Sequence, residues 1–206
     1  MEIHGANTYL LQQFFSPHSN RRTDSWGGDV QNRMAFPLAV VNEVKTAVAK
    51  YAKAPFIVGY RISPEEIENP GITIEDTLLL VEALAKKNLD YLHVSTMDFW
   101  AASMRNPTDT KPRALMIHEK VGHLVPIIGV GGVKNPDEAI SVLEAGIPLV
   151  AMGRTLLMEP DWAGKAKENP ESLRSALNLK QQQELVIPDI LWNALTSRPG
   201  WITVTE

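Results

Sequence analysis

Apolar positions along this chain follow two alternating patterns. Short runs of consecutive apolar, often β-branched residues occur at "FIVGYRI" (56–62), "YLHVST" (91–96), "VPIIGVGG" (125–132) and "PLVAMGR" (148–154). Each is short enough and rich enough in Val and Ile to predict a strand. Between them lie stretches with three-to-four spacing. In "NRMAFPLAVVNEVKTAVAKYA" the apolar residues Phe36, Val40, Val44, Ala47 and Val48 predict one buried helical face. Pro37, early in that run, predicts a helix that begins near it or carries an irregular first turn. "TIEDTLLLVEALAKKNL" opens with Thr73 three residues before Asp76, which resembles a capping box with Asp in place of Glu or Gln.

The punctuation agrees with this reading. "ALMIHEKVG" (114–122) predicts a short helix closing on Gly122. "NPDEAISVLEAG" predicts a helix with Asn135 as N-cap, Pro136 at its first position and Gly146 past its end. "EPDWAGKAKE" starts another with Pro160 and acidic Asp161 near its N-terminus. Strand, loop and helix repeat in order, so the fold class is α/β, with a parallel sheet covered by helices. Four complete strands are expected, with Glu2-Ile3-His4 as a strand-like stub, and a polar loop over 97–113. From about residue 168 the pattern dissolves. One more helix and a tail with Trp192 and Trp201 are expected there, too apolar for a free linker and so docked on the body of the protein or on a neighbour.

Composition narrows the class. The chain has 206 residues, which suits one domain, and is 44% hydrophobic and 21% charged, the balance of a globular protein. A net charge of -4 gives no electrostatic footprint for nucleic acid. With no cysteine there is neither a disulfide framework nor a thiolate metal site. The five histidines form no zinc-binding pattern, so no metal is expected. No basic segment followed by an apolar run marks a signal peptide, and no apolar run reaches the ~20 residues that span a bilayer. A soluble cytoplasmic protein is the expectation.

Three places carry candidate chemistry. Gly131 and Gly132 end one strand, and Gly153 with Arg154 ends the next. Glycines there serve tight turns, or let backbone N–H groups approach an anion beside a helix N-terminus. Arg154 adds a charged fork suited to phosphate. On consecutive strands, the two motifs together favour phosphate, whose usual site in (β/α)8 barrels is the loops after the last two strands. Arg61 stands in an otherwise apolar strand, where a charge is costly unless paired or used. A structural ion pair and a fixed positive charge beside an electron-rich ligand both satisfy that. Finally, His4, Asn7 and Tyr9 crowd one loop. His4 and Asn7 can polarise a carbonyl oxygen together, and Tyr9 can give a proton to carbon. In isolation the same three read as an exposed polar loop. Asp24 and Arg33 read as structural braces of the long loop before the first helix, and Arg21 with Arg22 is too small a basic group for nucleic acid.

"EIHGANTYLLQQFFSPHSNRRTDSWGG…NR" closely resembles the segment after the fourth strand in the Old Yellow Enzyme family of FMN-dependent ene-reductases and NADH:flavin oxidoreductases. "VGYRIS", "IIGVGGV" and "LVAMGRTLLMEPDW" resemble that family's fifth, seventh and eighth strands, in order. The likeness covers roughly residues 1–165. It implies a (β/α)8 TIM barrel represented by its C-terminal part over 1–167, with 168–206 as a C-terminal helix and docking tail. It also implies FMN as cofactor, NADH or NADPH as reductant, and an α,β-unsaturated carbonyl compound as substrate. His4 and Asn7 would hold the carbonyl oxygen and Tyr9 would protonate the α-carbon. Arg61 would lie against the flavin's pyrimidine end, and Gly131, Gly132, Gly153 and Arg154 would take the phosphate.

The resemblance further implies that the first half of the barrel is missing, as in a truncated gene, a misassigned start or a split protein. Strand edges at "FIVGYRI" and "PLVAMGR" are then expected to drive homo-oligomerisation, or pairing with a chain that supplies the N-terminal half. Two alternatives stand beside the enzyme: a catalytically silent half-barrel acting as an interaction module, and another phosphate-binding TIM barrel.

Overall fold

The computed structural model describes all of residues 1–206. In chain order its elements are β1 (Glu2–Gly5), α1 (Leu10–Phe15), α2 (Val30–Tyr51), β2 (Gly59–Ile62), α3 (Ile74–Ala85), β3 (Tyr91–Val94), α4 (Arg113–Val121), β4 (Ile127–Val130), α5 (Pro136–Glu144), β5 (Leu149–Ala151), α6 (Arg154–Met158), α7 (Trp162–Glu168), β6 (Leu177–Asn178), α8 (Asp189–Thr196) and β7 (Val204–Thr205). The chain forms two compact units. One comprises Met1–Gly132 with Val142–Ala151, the other Val133–Ser141 with Met152–Glu206.

The first unit holds a five-stranded sheet in the order β1-β2-β3-β4-β5, with every neighbouring pair parallel. The expected stub is therefore a full strand. Glu2, Ile3, His4 and Gly5 pair residue by residue with Gly59, Tyr60, Arg61 and Ile62. This corrects the expected edges. "FIVGYRI" is not at an edge, since β2 is paired on both sides, and the edge strands are β1 and β5. The pairing of β2 is also shorter than its apolar run, because Phe56 and Ile57 precede the strand and are exposed.

One face of the sheet is buried more deeply than the other. Ile3, Tyr60, Ile62, Leu92, Val94 and Ile127 point to the buried side. Alternate positions carry His4, Arg61, His93 and Ile128, aligned across four strands by the register. Side chains alternate faces along a strand, so this row of three polar groups and Ile128 shares the opposite face. Runs that look apolar throughout, such as "VPIIGVGG", thus divide: Ile127 and Gly129 are buried, whereas Ile128 and Val130 are half-exposed.

Helix ends follow their local chemistry. Asp29 caps α2 by accepting from the Asn32 N–H at 2.9 Å. The helix starts at Val30, so Pro37 lies inside it and not at its start, which corrects the sequence expectation. Pro37 is buried there, and the packing of this 22-residue helix outweighs the missing N–H. Thr73 caps α3 by accepting from the Asp76 N–H at 3.3 Å. Asp76 completes no reciprocal bond; its carboxylate faces the Arg33 guanidinium at 3.3 Å. Arg33 also donates to the Phe15 and Gly28 carbonyls, at 2.9 and 2.6 Å, and so braces the loop before α2. Asp24 acts within that loop, pairing with Arg22 and accepting from the Trp26 N–H.

In the second unit, Asn135 accepts from the Glu138 N–H at 2.9 Å while Glu138 accepts from the Lys134 N–H at 2.6 Å, a reciprocal cap at the start of α5. The five-residue α6, too short to show a period, follows Gly153 directly. Met158, Leu177, Ile187, Trp192, Leu195 and Ile202 form this unit's apolar core. Fully burying each such side chain is worth about 1.5–3 kcal/mol. The tail therefore docks within its own unit, and the short parallel pair β6–β7 ties Leu177 and Asn178 to Val204 and Thr205.

Candidate active site

The carboxyl end of β1 turns sharply into α1. Asn7 and Thr8 take consecutive left-handed conformations, with φ of 57° and 63°. Asn tolerates this region, whereas a β-branched Thr there is strained. Hydrogen bonds hold the turn. The Asn7 N–H donates to Ser63 Oγ at 3.0 Å, the Thr8 N–H to Gln12 Oε1 at 3.0 Å, and Gln13 Nε2 to the Thr8 carbonyl at 2.7 Å. Tyr9 is thereby presented outward, 63% exposed, with its ring edge-to-face on His4 at 5.1 Å between centroids. The Ala6 N–H donates to His4 Nδ1 at 3.3 Å, which leaves Nε2 of that ring as the N–H donor.

Arg61 stands beside His4 in the sheet register. Its Nη2 donates to Ser95 Oγ at 2.9 Å, and Ser95 Oγ donates to Asn7 Oδ1 at 3.0 Å. One polar chain thus joins the carboxyl ends of the three strands β1, β2 and β3. Arg61 Nε is buried without any hydrogen-bond partner. No carboxylate of the chain forms an ion pair with this guanidinium. On its other side lies His93, whose Nδ1 is 2.9 Å from Glu2 Oε2 and whose Nε2 is buried and unpaired. Burial pushes the His93 imidazole below its ordinary range, against the opposing pull of Glu2, with Arg61 and His4 adding to the depression.

The loops that carry these groups are anchored by buried acids. Glu66 accepts from Gln12 Nε2 at 2.7 Å, from the Ile72 N–H at 3.1 Å and from the Ser16 hydroxyl. Glu65 faces Arg113 at 2.9 Å, with both side chains 3% exposed, and accepts from Ser103 Oγ and the Met104 N–H at 3.1 Å each. Arg105 closes the set by donating to the Glu66 carbonyl at 2.7 Å. Two adjacent carboxylates after β2 thus lock the segments following β1, β2 and β3 together.

Gly131 and Gly132 follow β4 with φ of 126° and 76°, conformations that favour glycine. A Cβ on Gly131 would lie 2.7 Å from the Asp98 nitrogen, so this glycine admits the backbone of the loop after β3. In the second unit, a Cβ on Gly153 would meet nothing within 4 Å. The half-buried Arg154 donates from Nη1 to the Trp201 carbonyl at 3.1 Å, which leaves its other donors for a ligand.

Residues 1–172 match the model of the NADH:flavin oxidoreductase / NADH oxidase family, an FMN family. The chain belongs to this family. Among its members, the chain is 48% identical over 203 residues to the "Probable NADH-dependent flavin oxidoreductase YqiG" of Bacillus subtilis (strain 168), covering 98% of this chain and 55% of that protein. It is 45% identical over 198 residues to the "NADH:acrylate oxidoreductase" of Vibrio harveyi, covering 95% of this chain and 20% of that one. Among solved structures, morphinone reductase in complex with tetrahydroNAD superposes with a TM-score of 0.61 at 26% identity, over 84% of this chain and 44% of that one. The chain thus spans about half the length or less of these relatives.

The fold brings His4, Asn7, Tyr9 and Arg61 to one end of the sheet, while the two glycine motifs fall in different units. Sequence reading passed over Ser63, Ser95, Glu65, Glu66 and His93. Ser63 and Ser95 each stand one residue beyond a strand, and that position is the signal that marks them.

Proposed function

We propose that this chain carries the substrate side and the phosphate side of an FMN-dependent oxidoreductase that reduces alkenes conjugated to a carbonyl group. The sheet would then be part of a (β/α)8 barrel, with 1–167 as its flavin-binding portion and 168–206 as the C-terminal helix and tail. One observation carries the reading. Asn7, close in sequence to His4 and Tyr9, is hydrogen-bonded through Ser95 to Arg61, whose buried Nε has no partner within the protein. An orphaned buried donor is costly, and an electron-rich ligand edge fits it.

FMN, held by Arg61 and the phosphate-side residues, would supply the hydride chemistry between NADH or NADPH and the alkene. Arg61 would set a fixed positive charge beside the flavin edge that becomes negative on reduction. His4 Nε2 and Asn7 Nδ2 donate to the substrate's carbonyl oxygen and stabilise the charge that gathers there. The Tyr9 hydroxyl supplies the proton to the α-carbon. By the family resemblance, Gly131 and Gly132 in the first unit, and Gly153 with Arg154 in the second, would each offer donors suited to a phosphate.

The phosphate assignment is tested with two ligands. Arg154→Ala is expected to weaken FMN binding about tenfold to a hundredfold, the worth of a charge-assisted contact, while leaving riboflavin nearly unchanged. Equal losses for both in a fluorescence titration would place Arg154 in the packing around Trp201 and not at the phosphate.

Within the first unit, β1 and β5 each have one neighbour in the sheet, and such edges invite pairing with another chain. The isolated chain is expected to self-associate, or to take up a chain supplying further strands, and to bind FMN weakly on its own. Analytical ultracentrifugation with a flavin titration checks this. A monodisperse monomer holding one FMN tightly would contradict it.

A further inference from the structure

We propose that Ser95 is a positioning residue that fixes the Asn7 amide with its amino group turned toward the ligand oxygen. The inference rests on the reading of Asn7 as a carbonyl-binding donor.

The polarity of the hydrogen bonds leads to it. A guanidinium has donors and no acceptor, so in the 2.9 Å contact with Arg61 Nη2 the Ser95 oxygen must accept. Its single hydrogen is then free to be donated, and it points to the Asn7 amide at 3.0 Å. The Ser95 oxygen keeps a second lone pair, but its hydrogen has no other acceptor within the protein, so Asn7 meets it with Oδ1. Nδ2, the donor end, is left to face outward on the exposed side chain. An asparagine amide turns easily between two orientations of similar shape, and only one of them offers N–H to a carbonyl oxygen. Arg61, through Ser95, disfavours the other, which would leave the Ser95 hydrogen without an acceptor within the protein.

The backbone on both sides is pinned, so the amide is the remaining freedom. The Ser95 N–H donates to the Ile62 carbonyl at 2.8 Å, and the Asn7 N–H donates to Ser63 Oγ at 3.0 Å. The relay also ties a substrate-side donor to the charge assigned to the flavin side. No residue of the relay is redundant: Ser95 supplies both the acceptor for Arg61 and the donor for Asn7.

The test is a double-mutant cycle on the flavin-loaded protein. It reads the affinity for cyclohex-2-enone from the change in the visible spectrum of the oxidised flavin, without turnover. Ser95→Ala is expected to weaken the enone about tenfold, in line with a hydrogen bond whose donor is misplaced. Ser95→Thr keeps the hydroxyl and is expected to restore affinity to within about twofold of wild type. Ser95→Ala added to Asn7→Ala is expected to cost nothing more, because the amide it orients is gone. Full additivity in the double variant, or wild-type affinity in Ser95→Ala beside a weakened Asn7→Ala, would overturn the positioning role alone. Wild-type affinity in Asn7→Ala would overturn the carbonyl-binding reading itself, and this proposal with it.

Discussion

Tyr9→Phe is expected to slow reduction of the alkene by about 10²–10⁴-fold, the usual worth of a general acid, while reduction of the flavin by nicotinamide changes far less. The geometry separates the two half-reactions. Tyr9 stands on the outer side of the turn, exposed, and touches the site through its edge-to-face contact with His4. Its hydroxyl makes no hydrogen bond within the protein, so its removal leaves no protein group unpaired. The ring remains and His4 keeps its packing partner. Only the proton is lost, and only the alkene step needs it. Rapid mixing of each half-reaction separately gives the comparison, and equal slowing of both would remove Tyr9 from the acid role.

The largest expected loss of stability comes from Glu65→Ala. Glu65 and Arg113 form an ion pair with each side chain 3% exposed, and Arg113 keeps a second partner in Asp109 at 2.7 Å. Breaking a buried pair from one side costs about 3–5 kcal/mol when the other charge is left unpaired, and the bond to Asp109 holds the expected loss to the lower part of that range. The Ser103 hydroxyl and the Met104 N–H lose their acceptor as well. Glu65→Leu combined with Arg113→Met, which removes both charges and keeps volume, is expected to lose much less than Glu65→Ala. Urea unfolding midpoints at constant slope give both values. A Glu65→Ala midpoint equal to wild type would show that the pair does not hold these loops. The consequence reaches the site, because the segment that Glu65 anchors begins beside Ser63, which in turn holds Asn7.

Much of this was legible in the sequence, and the parts that were not share a physical cause. The strands β2 to β5 showed themselves because they are apolar and β-branched and end near glycine or serine. α5 was legible through Asn135, Pro136 and Gly146, all local signals. β1 read only as a stub because four residues with Glu2 and His4 among them carry little pattern; what makes it a strand is pairing with β2, nearly 60 residues away in the chain. The uneven burial of the sheet's two faces was hidden for a similar reason. Ile128 and Val130 are apolar like their neighbours, and sequence alone does not say which face is buried more deeply.

The site divides in the same way. His4, Asn7 and Tyr9 stand within six positions and could be seen together. Ser95 could not, because its partners Arg61 and Asn7 lie 34 and 88 residues away. Glu65 and Glu66 carry no local signal, and both are buried by partners from the segments after β1 and β3. His93 looked like an ordinary strand residue, and its carboxylate partner Glu2 is 91 residues distant. Pro37 misled because a local rule about proline yielded to the packing of a long helix.

The most direct measurement is an anaerobic one on the FMN-loaded protein, following the visible absorbance of the oxidised flavin. NADH or NADPH is added first, then cyclohex-2-enone, with oxygen excluded throughout. The absorbance is expected to bleach with the nicotinamide and to return with the enone, with recovery lost or greatly slowed in Tyr9→Phe. Bleaching that the enone does not reverse, while oxygen does, would contradict alkene reduction at the site formed by His4, Asn7, Tyr9 and Arg61.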